Sequence, residues 1–382
     1  MATAAPPSSL WADSLLDPMR QTGDPLADSV VAELFASGDI APVNNLMKNL
    51  VVNEFPVPAD LPPVVRDYLA KTDALPGWAD PDRIKAGEQV FWRYGPQLIV
   101  ILNTYALPFC YVAKNGVQVL ALTTRLLTNP TRRILETAQL LVDVMQPGGL
   151  TTNQGRGRRT IQKVRLMHAA VRKLAPVSSS WSAQYGLPVN QEDLAGTLMA
   201  FSWVSLNGLK KLGIAVPASD QEAYLHCWRI VGYLLGIREE LLPEDMAGAE
   251  TLSMTIARRQ FGPCTEGQEM TKALVGMLVN VLPGAGFQHV PSLLIRYFLG
   301  AQWAAWLGVA ESPWAELALV PLKLLGMQAG DILNDSRAVR ALAEKFGHLL
   351  IEAIVHIERG GNRPAFTIPA ELRQQWGANW TS

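Results

Sequence analysis

The stretch KVRLMHAAVRKL, residues 163–174, decides the fold. Val164, Met167, Val171 and Leu174 recur at three- and four-residue spacing, the period of a helix that buries one stripe. On the same turns Arg165, His168 and Arg172 stand three and four apart and share the neighbouring face. Two guanidinium groups there repel each other and hold an imidazole neutral unless an anion joins them. The stretch itself contains no acid. It predicts an amphipathic helix whose charged face needs an anion from elsewhere.

The same period runs through most of the 382 residues, while alternating β-branched runs bounded by turn signals are nearly absent. An all-α fold follows. The spacing predicts helices near 27–37, 42–51, 61–71, 81–93, 97–113, 116–128, 131–145, 157–174, 190–212, 219–239, 244–260, 265–281, 291–308 and 332–357. Pro130, QPGGLTTNQGRG (146–157), LPGAGFQHVP (282–291) and ERGGNRP (358–364) punctuate them, and none is a long flexible linker. With no repeat and no shift in composition, the chain reads as one large helical domain. In it, residues 1–80 wrap the core, 81–310 form it, and 311–382 add C-terminal helices.

Hydrophobic residues make up 49% of the chain, enough for a sizeable core, and the formal net charge of -1 gives no general attraction to nucleic acid. Cys110, Cys227 and Cys264 stand far apart among apolar neighbours and read as buried thiols of a reducing compartment. The N-terminus has no basic run followed by an apolar one, so a cytoplasmic setting is expected. QLIVILNTYALPFCYVA (97–113) is apolar, but it is short for a bilayer and contains Asn103 and Pro108. It reads as a buried core helix, with peripheral membrane contact left open.

Five histidines occur, and none pairs with another at the spacing of a zinc helix; no Cys-x-x-Cys motif is present. His168 differs by its company, because heme takes a neutral imidazole at its iron and arginines at its propionates. From spacing alone, a solvated basic face with an incidental histidine is the commoner meaning. LTNPTRRILETAQLLVDV (127–144) places Arg133, Glu136 and Thr137 on one helix face, which alone is more often a helix salt bridge. In EAYLHCWRIVGYLLGI (222–237), His226 and Arg229 interrupt an apolar helix and need partners, structural or functional. Arg296 is alone in LLIRYFLGAQWAAWLG (293–308) and also wants an anion.

Four blocks in order, RRILET, VRLMHAAVR, YLHCWRIVGYLLG and LLIRYFLG, resemble the latex-clearing protein family. These are the heme b rubber oxygenases, with fungal membrane-bound relatives that cleave a terpenoid side chain. The resemblance covers roughly residues 90–310. It implies a helical fold with a globin-like core and one heme b, with His168 as proximal iron ligand. Arg165 and Arg172, and more loosely Arg296, would bind the propionates, and Arg133 and Thr137 would stand on the distal side. Where the rubber cleavers carry a distal lysine this chain has Glu136, and no Asp or Glu occurs between Glu88 and Glu136 where they place a glutamate.

The resemblance leads to a heme-dependent oxidoreductase, an oxygenase using dioxygen on an apolar, unsaturated, terpenoid or lipid-like molecule. A peroxygenase or peroxidase using hydrogen peroxide, with Glu136 as acid-base group and Arg133 stabilising charge, is the alternative. A heme sensor or carrier without turnover is the third reading. Tyr105 and Tyr111 would line an apolar channel or simply fill the core.

Overall fold

The computed structural model describes residues 10–36, 61–122, 137, 140–281 and 289–309. Among these the secondary structure is helical, with a single bridge between Ala113 and Phe261 and no strand. The expected helices at 42–51 and 332–357, and parts of those at 116–128 and 131–145, lie outside the described residues.

The N-terminal part begins with α1 (Asp13–Met19), α2 (Pro25–Ala36) and α3 (Pro63–Lys71). The spacing did not predict α1, which is two turns long with Pro18 inside it. α1 buries Leu16 and Met19 in the main core. α2 and α3 close a smaller cluster, in which Val30, Val31, Val65 and Tyr68 pack against Leu166, Ala169 and Ala170.

α4 (Pro81–Ile101) starts where Asp80 caps the amides of Asp82 and Arg83, with Pro81 at the first helical position. The sequence suggested a break near Gly95 and Pro96. The chain instead continues with one irregular residue, Tyr94 (φ -112, ψ 15), just where Pro96 deprives the ladder of a donor. It then widens into a π-turn, Leu102–Ala106, before α5 (Leu107–Tyr111). The side chains of Asn103 and Thr104 hydrogen-bond back to the carbonyls of Ile99 and Val100, both at 2.8 Å. Tyr105 and Tyr111 are buried in this core, Tyr105 stacked on Phe298 at 5.2 Å between centroids. No helix of the described residues is long and apolar enough to cross a membrane.

After α6 (Val117–Leu122) and the helical residues 140–145 comes α7 (Arg156–Leu174), the helix of the opening stretch. α8 (Gln191–Phe201) and α9 (Trp203–Lys211) replace the single helix expected over 190–212, because Ser202 leaves helical geometry (φ -99, ψ -86). α10 (Ala218–Leu234) packs along α4, and α11 (Met246–Gln260) and α12 (Thr265–Val281) follow. α13 (Val290–Leu299) and α14 (Ala301–Trp306) are separated by Gly300 at φ 80, where the sequence suggested one helix. Cys227 is buried, while Cys110 and Cys264 are half-buried free thiols.

Candidate functional site

Helix α7 carries three of the predicted site residues. Leu166, Ala169 and Ala170 are its most buried apolar side chains beyond Ile161, and they face α2. Of the apolar stripe expected to face the core, Val164 and Leu174 are buried, but Met167 and Val171 are only half-buried. His168 is half-buried between them. Four residues of this helix, Val164, Met167, His168 and Val171, thus form one sector with a single imidazole among apolar side chains.

The anions that the two arginines need come from the start of α2, Asp24 just before the helix and Asp28 in its first turn. Arg165 donates from Nε (2.5 Å) and Nη2 (2.8 Å) to Asp24, and from Nη1 to the carbonyl of Leu234 (3.1 Å). Burial, the largest influence, works against the Arg165 charge, yet the hydrogen bonds to Asp24 and the negative charge of that carboxylate together outweigh it and raise its pKa. Arg172 donates from Nε to Asp28 (2.7 Å) and from Nη1 to the carbonyl of Val189 (3.1 Å). The two acids are also caps. Asp24 accepts the Ala27 amide at 3.4 Å, and Asp28 accepts the Asp24 amide at 2.9 Å. The stretch GDPLAD (23–28) holds the legible signal for this, an Asp followed by Pro at a helix start. The expected helix began at residue 27 and so missed it. Nothing local could have linked these acids to arginines 141 and 144 residues away.

The arginines retain donors. A guanidinium has five N–H groups. Arg165 engages three nitrogens with one bond each, and Nη2 of Arg172 is buried without a hydrogen-bond partner among the described residues. The packing beside them is tight: Gly236, at φ 80 after α10, has no room for a Cβ, which would stand 2.6 Å from Asp24 and 2.7 Å from the Arg165 guanidinium.

Thr137 is helical and half-buried, and Arg133 and Glu136 lie outside the described residues. Arg296, half-buried in the last turn of α13, reaches the Val309 carbonyl at 3.4 Å. His226 and Arg229 on α10 belong to a different cluster. The Asp80 amide, at the start of α4, donates to His226 Nε2 at 3.0 Å, and Trp78 stands edge-on to the ring. Burial, then the charges of Arg83 and Arg229, push His226 down to about 4. Arg229 lies over the Trp78 ring at 4.5 Å and faces Glu244 at 3.9 Å. These partners answer the need read from the sequence, and they are structural: a capped helix end and a stacked cation.

As a donor set these residues fit heme b. One neutral-capable imidazole projects from an apolar sector, and unspent arginine N–H groups lie one turn away on either side. No group of three or more His, Cys, Asp or Glu side chains that could hold a metal ion directly occurs among the described residues.

Residues 110–330, more than half of the chain, match the family model described as "ER-bound oxygenase mpaB/B'/Rubber oxygenase, catalytic domain". A rubber oxygenase of Streptomyces sp. (strain K30) is 27% identical over 361 residues, covering 91% of this chain and 85% of that protein. The structure of the latex clearing protein LCP in the closed state superposes with a TM-score of 0.69, covering 87% of this chain and 91% of that one. At 24% identity this last likeness speaks to the fold. The chain belongs to the family of mpaB and rubber oxygenase catalytic domains.

Proposed function

We propose that the protein is a heme b-dependent oxygenase that uses dioxygen on an apolar, unsaturated small molecule. The observation that carries this reading is the half-buried His168 in its apolar sector, flanked by arginines that retain donors after pairing with Asp24 and Asp28. The relative named a rubber oxygenase supports both the oxygenase class and an apolar substrate. Heme, when bound, supplies the redox centre at which dioxygen is activated.

The chain's residues then divide by task. His168 holds the iron. Nη2 of Arg172, the remaining N–H groups of Arg165 and the Arg296 guanidinium meet the two propionates, and Asp24 and Asp28 keep those cations fixed in orientation. On the side opposite His168, Thr137 would offer a hydroxyl, Arg133 a positive charge, and Glu136 a carboxylate able to serve as acid-base group. Glu136 stands where the rubber cleavers carry a lysine, so the substrate is put as an apolar, terpenoid or lipid-like molecule rather than the polymer itself.

The test is an absorption spectrum of the purified protein with and without His168→Ala. A Soret band in the parent that disappears in the variant supports the assignment; no band in the parent overturns the heme reading. Glu136→Gln should keep the band and suppress turnover. Product formation with peroxide but not with dioxygen would make the protein a peroxygenase instead.

A further inference from the structure

The corner that joins residues 140–145 to α7 is built more heavily than a connection between two packed helices requires. Thr160 Oγ1 donates to Asp143 Oδ2 at 2.7 Å, and both side chains are almost fully buried. Three residues earlier, Gly157 sits so close to the end of the preceding helix that a Cβ would stand 2.4 Å from the Gly149 carbonyl oxygen and 2.6 Å from that of Asp143. Only glycine permits this approach. Arg158 ties the connecting turn from inside, donating to the carbonyls of Leu150 (2.6 Å), Thr151 (3.0 Å) and Asp73 (2.7 Å). From outside, α4 holds the same turn one helical turn apart. Glu88 accepts the Gly148 amide at 3.2 Å, and Trp92 donates to the Met145 carbonyl at 2.8 Å.

We propose that this corner, closed by the Thr160–Asp143 hydrogen bond, sets the angle at which the His168 face of α7 stands to the helical residues 140–145. The inference rests on the heme reading above and names positioning residues for it. His168 lies eight residues after Thr160 on α7, about 12 Å at a helical rise of 1.5 Å per residue. The His168 face is the end of a lever that pivots at the Asp143–Thr160 contact. A change of about 5° at the corner moves His168 by about 1 Å at that lever length. Displacements of that size are large for groups that must hold a cofactor on one side and a reacting molecule on the other. Apolar side-chain packing alone leaves such an angle adjustable. A short bond to a buried carboxylate fixes it, because stretching the bond leaves a desolvated acceptor with one partner fewer.

Three forms of the full-length protein loaded with heme are compared: parent, Thr160→Val, which loses the hydroxyl and keeps the branched shape, and Thr160→Ser, which restores the donor. The readouts are the position of the Soret maximum and the rate of heme transfer to excess apomyoglobin. Thr160→Val should shift the band and lose heme about 10-fold faster, the order of one hydrogen bond to a charged group, and Thr160→Ser should return both toward the parent. A Thr160→Val protein of lower melting temperature with parental band and parental heme loss overturns the inference, leaving the corner a stabilising contact only. If the parent takes up no heme, the heme reading falls and this inference with it. A parent that takes it up beside an unmoved variant sinks this inference alone. Should Thr160→Val fail to fold, Glu88→Gln weakens the tie on the opposite side of the same corner and is read in the same way.

Discussion

His168 and His226 pose the same riddle in the sequence: an imidazole three residues from an arginine, on a helix otherwise rich in apolar side chains. The structure separates them. His226 is 1% exposed, and its Nε2 is committed to the amide that opens α4. Its arginine lies over the face of Trp78 and turns toward Glu244. His168 is half-buried, and its arginines are locked to carboxylates from another helix with donors to spare. A histidine that serves structure has its acceptor nitrogen answered by backbone, whereas a candidate ligand is held on a fixed frame whose charges have been settled by third parties.

The comparison can be broken most sharply by exchanging the two losses. His168→Ala should abolish heme uptake, while His226→Ala should leave the Soret band in place and lower stability; a band lost in both variants erases the distinction. Next in size is Asp24→Asn, which strands the buried Arg165 guanidinium. Removing one partner of a buried pair costs about 3–5 kcal/mol, readable as a lower urea midpoint, and an unchanged midpoint means Asp24 is dispensable to the frame.

His226 gives a pH signature that His168's role does not. Its folded pKa of about 4 lies below the ordinary 6.5, so the unfolded chain takes up the proton first. The contribution is intact above pH 6.5 and is lost as pH falls from there toward 4, up to about 3 kcal/mol. Denaturation midpoints of the parent should therefore fall more steeply over that window than those of His226→Gln. Parallel curves would show that the ring is not held neutral. The smallest effect expected is that of Trp78→Leu, which removes the ring under Arg229. It should cost about 1 kcal/mol for the cation–π contact and leave heme uptake untouched.

How much of this was legible in the sequence varied with the range of the interaction. The helices from Arg156–Leu174 onward to Thr265–Val281 follow from local period, and the all-helical class with it. The break at Gly300 carried a signal, a glycine in a backbone conformation other residues avoid, whereas Ser202 carried none that local reasoning can use. The need of Arg165 and Arg172 for an anion was readable; its source was not, since Asp24 and Asp28 are brought over by the packing of α2 on α7. His168 stood apart in the sequence by its two arginines and by the resemblance, and burial and hydrogen-bond partners separate it further from His226. Arg133 and Glu136 lie outside the described residues.

The pairing of α2 with α7 has a consequence for how the protein comes into being. The stretch that matches the family begins at residue 110, yet the two carboxylates that settle the charge of the His168 helix stand well before it in the chain, at 24 and 28. They must wait for some 140 further residues before their arginines emerge. A chain trimmed to the matched segment would carry the signature blocks and still leave two buried cations uncompensated. The smallest unit that folds around His168 is therefore larger than the smallest unit that a family comparison recognises.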